Sequence, residues 1–185
     1  MERCTFTEVI AAIDRRHVDD PSGRELDYAE RMTAWLGVVR QPPSEDLEIA
    51  VRAQHFERWR YPRKDFPPGR EGYLRWRRDA AQRQAQAVGD LLESFGVCGA
   101  TIARVAALMQ KRGLGRDPEA QALEDCACLV FLEWELPRFA ERREAAQVAQ
   151  ILERTWAKMS PLARRHARSL RLAPEHRALL ERLAD

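Results

Sequence analysis

The residues best equipped for chemistry lie between Ala53 and Arg78, in the run AQHFERWRYPRKDFPPGREGYLRWRR. Trp59, Tyr61, Phe66, Tyr73 and Trp76 are interleaved with nine Lys and Arg from Arg58 to Arg83, and His55 stands just ahead of them. Arg offers planar bidentate donors to phosphate or carboxylate, and aromatic rings offer stacking faces. The pattern predicts a site for a flat or anionic ligand. Arg58, Arg60, Arg63, Arg70 and Arg77 would clamp the anion, Trp59 or Tyr61 would stack on a ring, and Tyr73 would join them. A structural loop, with Arg stacked on aromatics and paired with acids, fits the same composition.

Two further groups could complete a reactive centre. His55 continues the stripe of Leu47, Ala50 and Val51, so it is expected on a buried helical face with Gln54 and Arg58. A core histidine bonded to a carboxylate or carbonyl fits that position, as does a ligand for a metal or substrate. Glu124 and Asp125 precede a segment, LEDCACLVFLEWEL, that is apolar nearly all round. Such a helix is usually central, and its N-terminal dipole favours the two acids. They could also face a metal or the cationic loop. The expectation is that His55 meets at least one of Glu124 and Asp125 in a common cavity walled by the loop, since buried polar groups need partners. Glu30 could face the same cavity or lie in solvent. His17 is assigned no role beyond a helix C-terminus, and His166 and His176 are expected to be exposed.

The elements that must position these residues are all helices. No period-2 strand pattern of any length occurs. Thr5 and Glu8 form a possible capping box ahead of Phe6, Val9, Ile10 and Ile13. Asp19–Gly23 breaks that helix. Leu26, Met32, Leu36 and Val39 mark a second. Ser44 caps a third that is expected to run into His55 and Trp59. Three Pro and two Gly make residues 61–72 a loop. A long fourth helix follows from about Gly72 to Phe95, a fifth carries Ile102 to Met109, and Asp117-Pro118 opens the sixth. Val148, Ile151, Leu152, Thr155, Trp156 and Met159 stripe the seventh, and Ser160-Pro161 and Ala173-Pro174 start two short terminal helices. The fold class is all-α, a single helical domain over residues 1–185 with about seven main helices.

Composition bounds the function. The chain has 185 residues, with 45% apolar and 32% charged, enough for one soluble domain with a sizeable core. A net charge of +2 argues against a general nucleic-acid binder. Only three of the 31 basic residues are Lys, which a GC-rich genome explains. No stretch approaches the ~20 apolar residues of a membrane span, and the first residues are too polar for a signal peptide. Cytoplasmic residence is the default, with Cys4, Cys98, Cys126 and Cys128 as free thiols. Cys126 and Cys128, two apart on a helix, cannot share a metal. No P-loop, dinucleotide fingerprint, nucleophile elbow or zinc-finger spacing occurs.

The blocks RAQHxxRWxxPRxxxPxGRxGYLxWR at Arg52–Arg77, LEDxACLVFLE at Leu123–Glu133, TWxKMSP at Thr155–Pro161 and ELxYxxRMxxWL at Glu25–Leu36 resemble the family called domain of unknown function 4202, over nearly the whole chain. A weaker resemblance is to the HD-domain phosphohydrolases, an all-helical superfamily that binds a divalent metal through His, a His-Asp doublet and a distal Asp. Tyr28 or Glu30 falls near the first His, Gln54-His55 stands for the doublet, and Asp125 falls at the distal Asp. Only that last position keeps its residue type. The resemblance implies an HD-domain-like bundle in which His55 and Asp125, with Glu30 or Glu124, hold one Mn, Fe or Mg ion. Asp125 and Glu124 would serve a metal-dependent hydrolase of a phosphorylated small molecule or nucleotide. The alternative is a metal-free binding module for a nucleotide or RNA segment that uses the same Arg and aromatic residues.

Overall fold

Helix starts in the computed structural model, which describes residues 5–183, follow local capping chemistry. In α1 (Phe6–Val18) the Thr5 hydroxyl accepts from the Glu8 N–H, and the Glu8 carboxylate accepts from the Thr5 N–H at 2.7 Å. The turn before α2 (Arg24–Val39) is closed by Asp20, whose carboxylate accepts from the backbone N–H groups of Ser22, Arg24 and Glu25 and from the Ser22 hydroxyl. Gly23, at φ +66°, supplies the left-handed step that lets Asp20 do this. Ser44 caps α3 (Glu45–Arg52) through the Leu47 N–H. Two single 3-10 turns, Arg58–Arg60 and Arg63–Asp65, lead into α4 (Gly69–Ser94), which packs chiefly on α5 (Gly99–Met109).

Asp117 caps α6 (Pro118–Val130) with Pro at its first position, an arrangement that uses the missing proline N–H where no bond is needed. α6 does not run straight to Leu136. It widens into a π turn, Phe131–Glu135, and resumes as the short α7 (Leu136–Ala140). Pro137 accounts for the change. It has no N–H to give the Glu133 carbonyl, and its ring would collide with that carbonyl in an α-helix. The chain ends with α8 (Ala145–Lys158), α9 (Pro161–Arg168) and α10 (Pro174–Arg182). The architecture is thus all-helical, with no strand among the described residues. The described residues hold ten α-helices against the expected seven main ones, because the two terminal helices and the segment cut off by the π turn add to them.

α6 lies at the centre, packed on α2, α3, α5, α8 and α9. Leu123, Cys126, Leu129 and Val130 on it are completely buried and join a core that reaches from Val9 in α1 to Leu180 in α10. Each such aliphatic side chain contributes about 1.5–3 kcal/mol by burial. Among the described residues no helix is long and apolar enough to cross a membrane. Cys98, Cys126 and Cys128 are free thiols, and Cys4 lies outside the described residues.

Candidate functional site

α3 stops at Arg52, earlier than the periodicity predicts. The Arg52 side chain forks onto Asp14 of α1 at 2.6 and 2.9 Å, and its carbonyl accepts from Nε2–H of His17 at 2.9 Å. His17 is therefore no surface residue at a helix end; it is completely buried, with Nδ1 3.6 Å from Glu25 Oε2. Beyond Arg52 the backbone turns sharply. His55 and Glu57 both take left-handed conformations, at φ +66° and +50°. Each costs a non-glycine residue on the order of 1–3 kcal/mol and persists only where the surroundings hold it. Phe56 between them is completely buried, and Glu57 is clamped by Arg16 at 3.1 Å and Arg60 at 3.2 Å.

This turn directs His55 and Arg58 into a cavity of about 340 Å³. Its floor is Tyr28 of α2, whose ring stacks on His55 with centroids 4.1 Å apart. Arg58, Trp59 and Tyr61 come from the loop, Trp76 from α4, and Trp134 and Glu135 from the π turn. Asp20, Ser22, Arg24 and Glu25 close the side formed by the start of α2. The Arg58 guanidinium lies 4.6 Å from the centre of the Trp76 ring and donates to Nε2 of His55. Since Arg only donates, His55 accepts there as a neutral imidazole with its proton on Nδ1. Burial, followed by the charges of Arg58 and Lys111, holds His55 well below the ordinary histidine pKa. Burial likewise lowers Arg58 and raises the Glu135 carboxyl. Burial alone would raise Asp20, but its hydrogen bonds carry it below the usual carboxylate range.

The other binding candidates divide by what they touch. Arg63 donates to three loop carbonyls, those of Phe66 at 2.8 Å, Pro67 at 2.7 Å and Gly69 at 3.3 Å, so it latches the loop. Gly72 completes that latch. A Cβ there would stand 1.9 Å from the Pro67 carbonyl oxygen. Arg60 stacks on Trp59, Arg77 on Tyr73 and Arg83 on Tyr61, at 4.8, 5.9 and 4.9 Å from the ring centres. Tyr73, Arg70 and Arg77 are exposed and do not line the cavity. Of the eight binding candidates, Arg58, Trp59 and Tyr61 reach it.

Glu124 and Asp125 do not line it either. Glu124 is bonded by Lys111, lies 3.4 Å from Lys158 Nζ, and has Cys128 Sγ 3.9 Å away. Burial pushes its carboxyl up, but the two ammonium groups bring it below the ordinary value. Asp125 Oδ1 accepts from Gln121 and from the Ser160 N–H, both at 2.9 Å. Glu30 is exposed. The expected meeting of His55 with these acids at one metal is therefore not assembled: among the described residues no three His, Cys, Asp or Glu side chains gather closely enough to hold a metal ion. His166 and His176 are half-buried, with His166 edge-on to Trp35 at 6.0 Å, and not exposed as expected.

Sequence reasoning included Trp76 in the aromatic wall of the loop and set Tyr28 near the HD-type site, but missed Arg24, Trp134 and Glu135 as cavity residues. Pro137, four residues after Glu133, was the available signal for a widened turn that would re-aim Trp134 and Glu135. Arg24 and Arg31, two turns apart on α2, hold the Trp134 ring between them at 4.9 and 5.1 Å.

Fold and site together define an all-helical protein with an aromatic-walled pocket around a half-buried arginine. The family model described as a domain of unknown function (DUF4202) matches residues 7–180, and the chain belongs to that family. No curated protein and no solved structure matches it.

Proposed function

We propose that the cavity binds a small anionic molecule with a planar ring, of the nucleoside monophosphate type, and does so without a metal ion. Arg58 carries this reading. The residue is half-buried and desolvation weighs most on its guanidinium, yet among the described residues no carboxylate oxygen lies within 4.0 Å of it. A neutral imidazole and an indole face do not cancel its charge. Buried charges are normally paired, and a phosphate in the cavity would supply the missing partner through the bidentate geometry that arginine favours. Tyr28, Trp59, Tyr61, Trp76 and Trp134 supply apolar walls for a ring. The Trp59 indole N–H is buried with no partner among the described residues, and a ligand acceptor would satisfy it. A volume of about 340 Å³ lies at the small end of ligand pockets, the size of one nucleotide and not of a strand.

The HD-type hydrolase reading would need His55, Asp125 and a third ligand at one point. His55 Nε2 already faces a guanidinium, which repels a cation, and Asp125 is engaged between α6 and α9. No step through a metal is derived from these residues. RNA binding by the loop loses Arg60 and Arg63, which are committed to Glu57 and to loop carbonyls.

Thermal unfolding of EDTA-treated protein with AMP, CMP, GMP, the matching nucleosides and inorganic phosphate tests the proposal. A nucleotide at a hundred times its Kd should add about 2.7 kcal/mol and raise Tm by roughly 5–10 °C; the nucleosides should do far less. No shift with any phosphate compound, or a shift only after Mn or Mg is added, would reject it.

A further inference from the structure

The cavity holds a second charge that its neighbours leave unanswered. Three carboxylates reach it, and two are occupied. Asp20 accepts four hydrogen bonds within its own turn. Glu25 accepts from the Trp59 backbone N–H at 3.0 Å through Oε1, and its buried Oε2 makes no hydrogen bond among the described residues but lies 3.6 Å from His17 Nδ1. Glu135 is half-buried and has no hydrogen bond and no ion pair among the described residues. Arg58 and Arg24 act on it electrostatically, yet neither brings a nitrogen within 4.0 Å. A cation and an anion thus line one cavity with no direct ion pair between them.

Glu135 is held at that place. It is the last residue of the π turn, whose Trp134 is fixed between Arg24 and Arg31. Single π turns inside helices frequently mark functional positions. A carboxylate only accepts hydrogen bonds, so its ligand partner must be a donor.

We infer that Glu135 selects ligands whose ring bears an exocyclic amino group, so that the pocket takes a nucleotide by its phosphate at Arg58 and by its base amino group at Glu135. This rests on the nucleotide reading of the cavity. A base without the amino group covers the carboxylate and leaves it unanswered, which costs affinity by about tenfold or more.

The test compares pairs that differ only in that group: AMP against purine riboside 5′-monophosphate, and CMP against its 4-desamino analogue. Calorimetry on EDTA-treated full chain gives both affinities for wild type, Glu135→Gln and Glu135→Met. In at least one pair the amino nucleotide should bind about tenfold tighter or better to wild type. The ratio should shrink in Glu135→Gln, which keeps one acceptor oxygen, and approach one in Glu135→Met. Each ratio is taken within one variant, so lost folded fraction cancels. Equal affinities in wild type, or a ratio that survives Glu135→Met, would overturn the inference and leave the nucleotide reading standing. No binding of either member of either pair would remove both.

Discussion

Two regions of this molecule handle buried charge in opposite ways. At the start of α6, Glu124 and Asp125 are buried and answered: Lys111 and Lys158 neutralise the first, and Gln121 and the Ser160 N–H bond the second. In the cavity beside α2, Arg58 and Glu135 are half-buried and form no ion pair within the protein's described residues. The first arrangement is that of a structural junction, tying α6 to the segment after α5 and to α8 and α9. The second is that of a site still short of a partner. Arginine and lysine divide accordingly. Two of the three lysines in the chain serve Glu124, where a compact ammonium fits a buried carboxylate, whereas arginines spread over aromatic faces around the loop.

The comparison breaks most easily at Lys111. Lys111→Met leaves Glu124 with the half-exposed Lys158 alone, and unpairing a buried charge costs about 3–5 kcal/mol. Denaturant unfolding should show that loss, and adding Glu124→Gln should restore most of it. Nucleotide affinity of the folded fraction should stay as in wild type. A Lys111→Met protein as stable as wild type would mean that the α6 acids are not a structural junction.

Arg63→Ala comes next. It removes three hydrogen bonds from a partly exposed loop, worth about 1–3 kcal/mol together after solvent screening. Tm should fall while ligand affinity changes less than threefold. A tenfold loss of affinity with unchanged Tm would return Arg63 to the binding residues.

The smallest effect separates the regions by pH. The folded pKa of His55 is depressed, so protons bind the unfolded chain more readily. The stability it contributes is present above the unfolded value of about 6.5 and is lost as pH falls below it. Glu124 is also depressed, and its contribution is lost only as pH falls below about 4.3. His55→Asn, which keeps a side chain tolerant of φ > 0, should flatten the stability profile just below pH 6.5. Lys111→Met should flatten it chiefly below about pH 4.3, with a smaller change near pH 6.5 because Lys111 is one of the charges that act on His55. If Lys111→Met changed the profile near pH 6.5 as strongly as His55→Asn, the two regions would be one electrostatic unit.

Much of the fold was legible because it depends on local chemistry. The Thr5 capping box, Ser44, Asp117-Pro118 and the apolar run after Asp125 mark helix starts and the central helix in any context. The end of α3 was not legible. Gln54, His55 and Arg58 continue a helical stripe, but consecutive i,i+3 bonds, such as Phe56 N–H to Ala53 and Arg58 N–H to His55, both 2.9 Å, mimic that spacing through a non-helical turn. The left-handed residues there are His and Glu, not the Gly or Asn that announce such a step. Of the site, Arg58, Trp59 and Tyr61 were readable from composition. Their partners Tyr28, Trp134 and Glu135 come from distant segments, and nothing in their own neighbourhoods says which cavity they face. The α6 acids were misjudged for the same reason. Their lysines lie 13 residues before and 34 residues after Glu124 in the chain.

The central claim is that Arg58 is an unpaired, half-buried cation waiting for an anion. Calorimetric titration of EDTA-treated wild type and Arg58→Gln with AMP, together with Tm for both proteins, tests it most directly. The predicted result is an affinity at least tenfold weaker in Arg58→Gln, with Tm little changed, since losing the contacts to His55 and Trp76 is offset by removing a desolvated charge with no carboxylate partner. Unchanged affinity, or a Tm several degrees lower with affinity intact, would show that Arg58 serves the fold and would contradict the account.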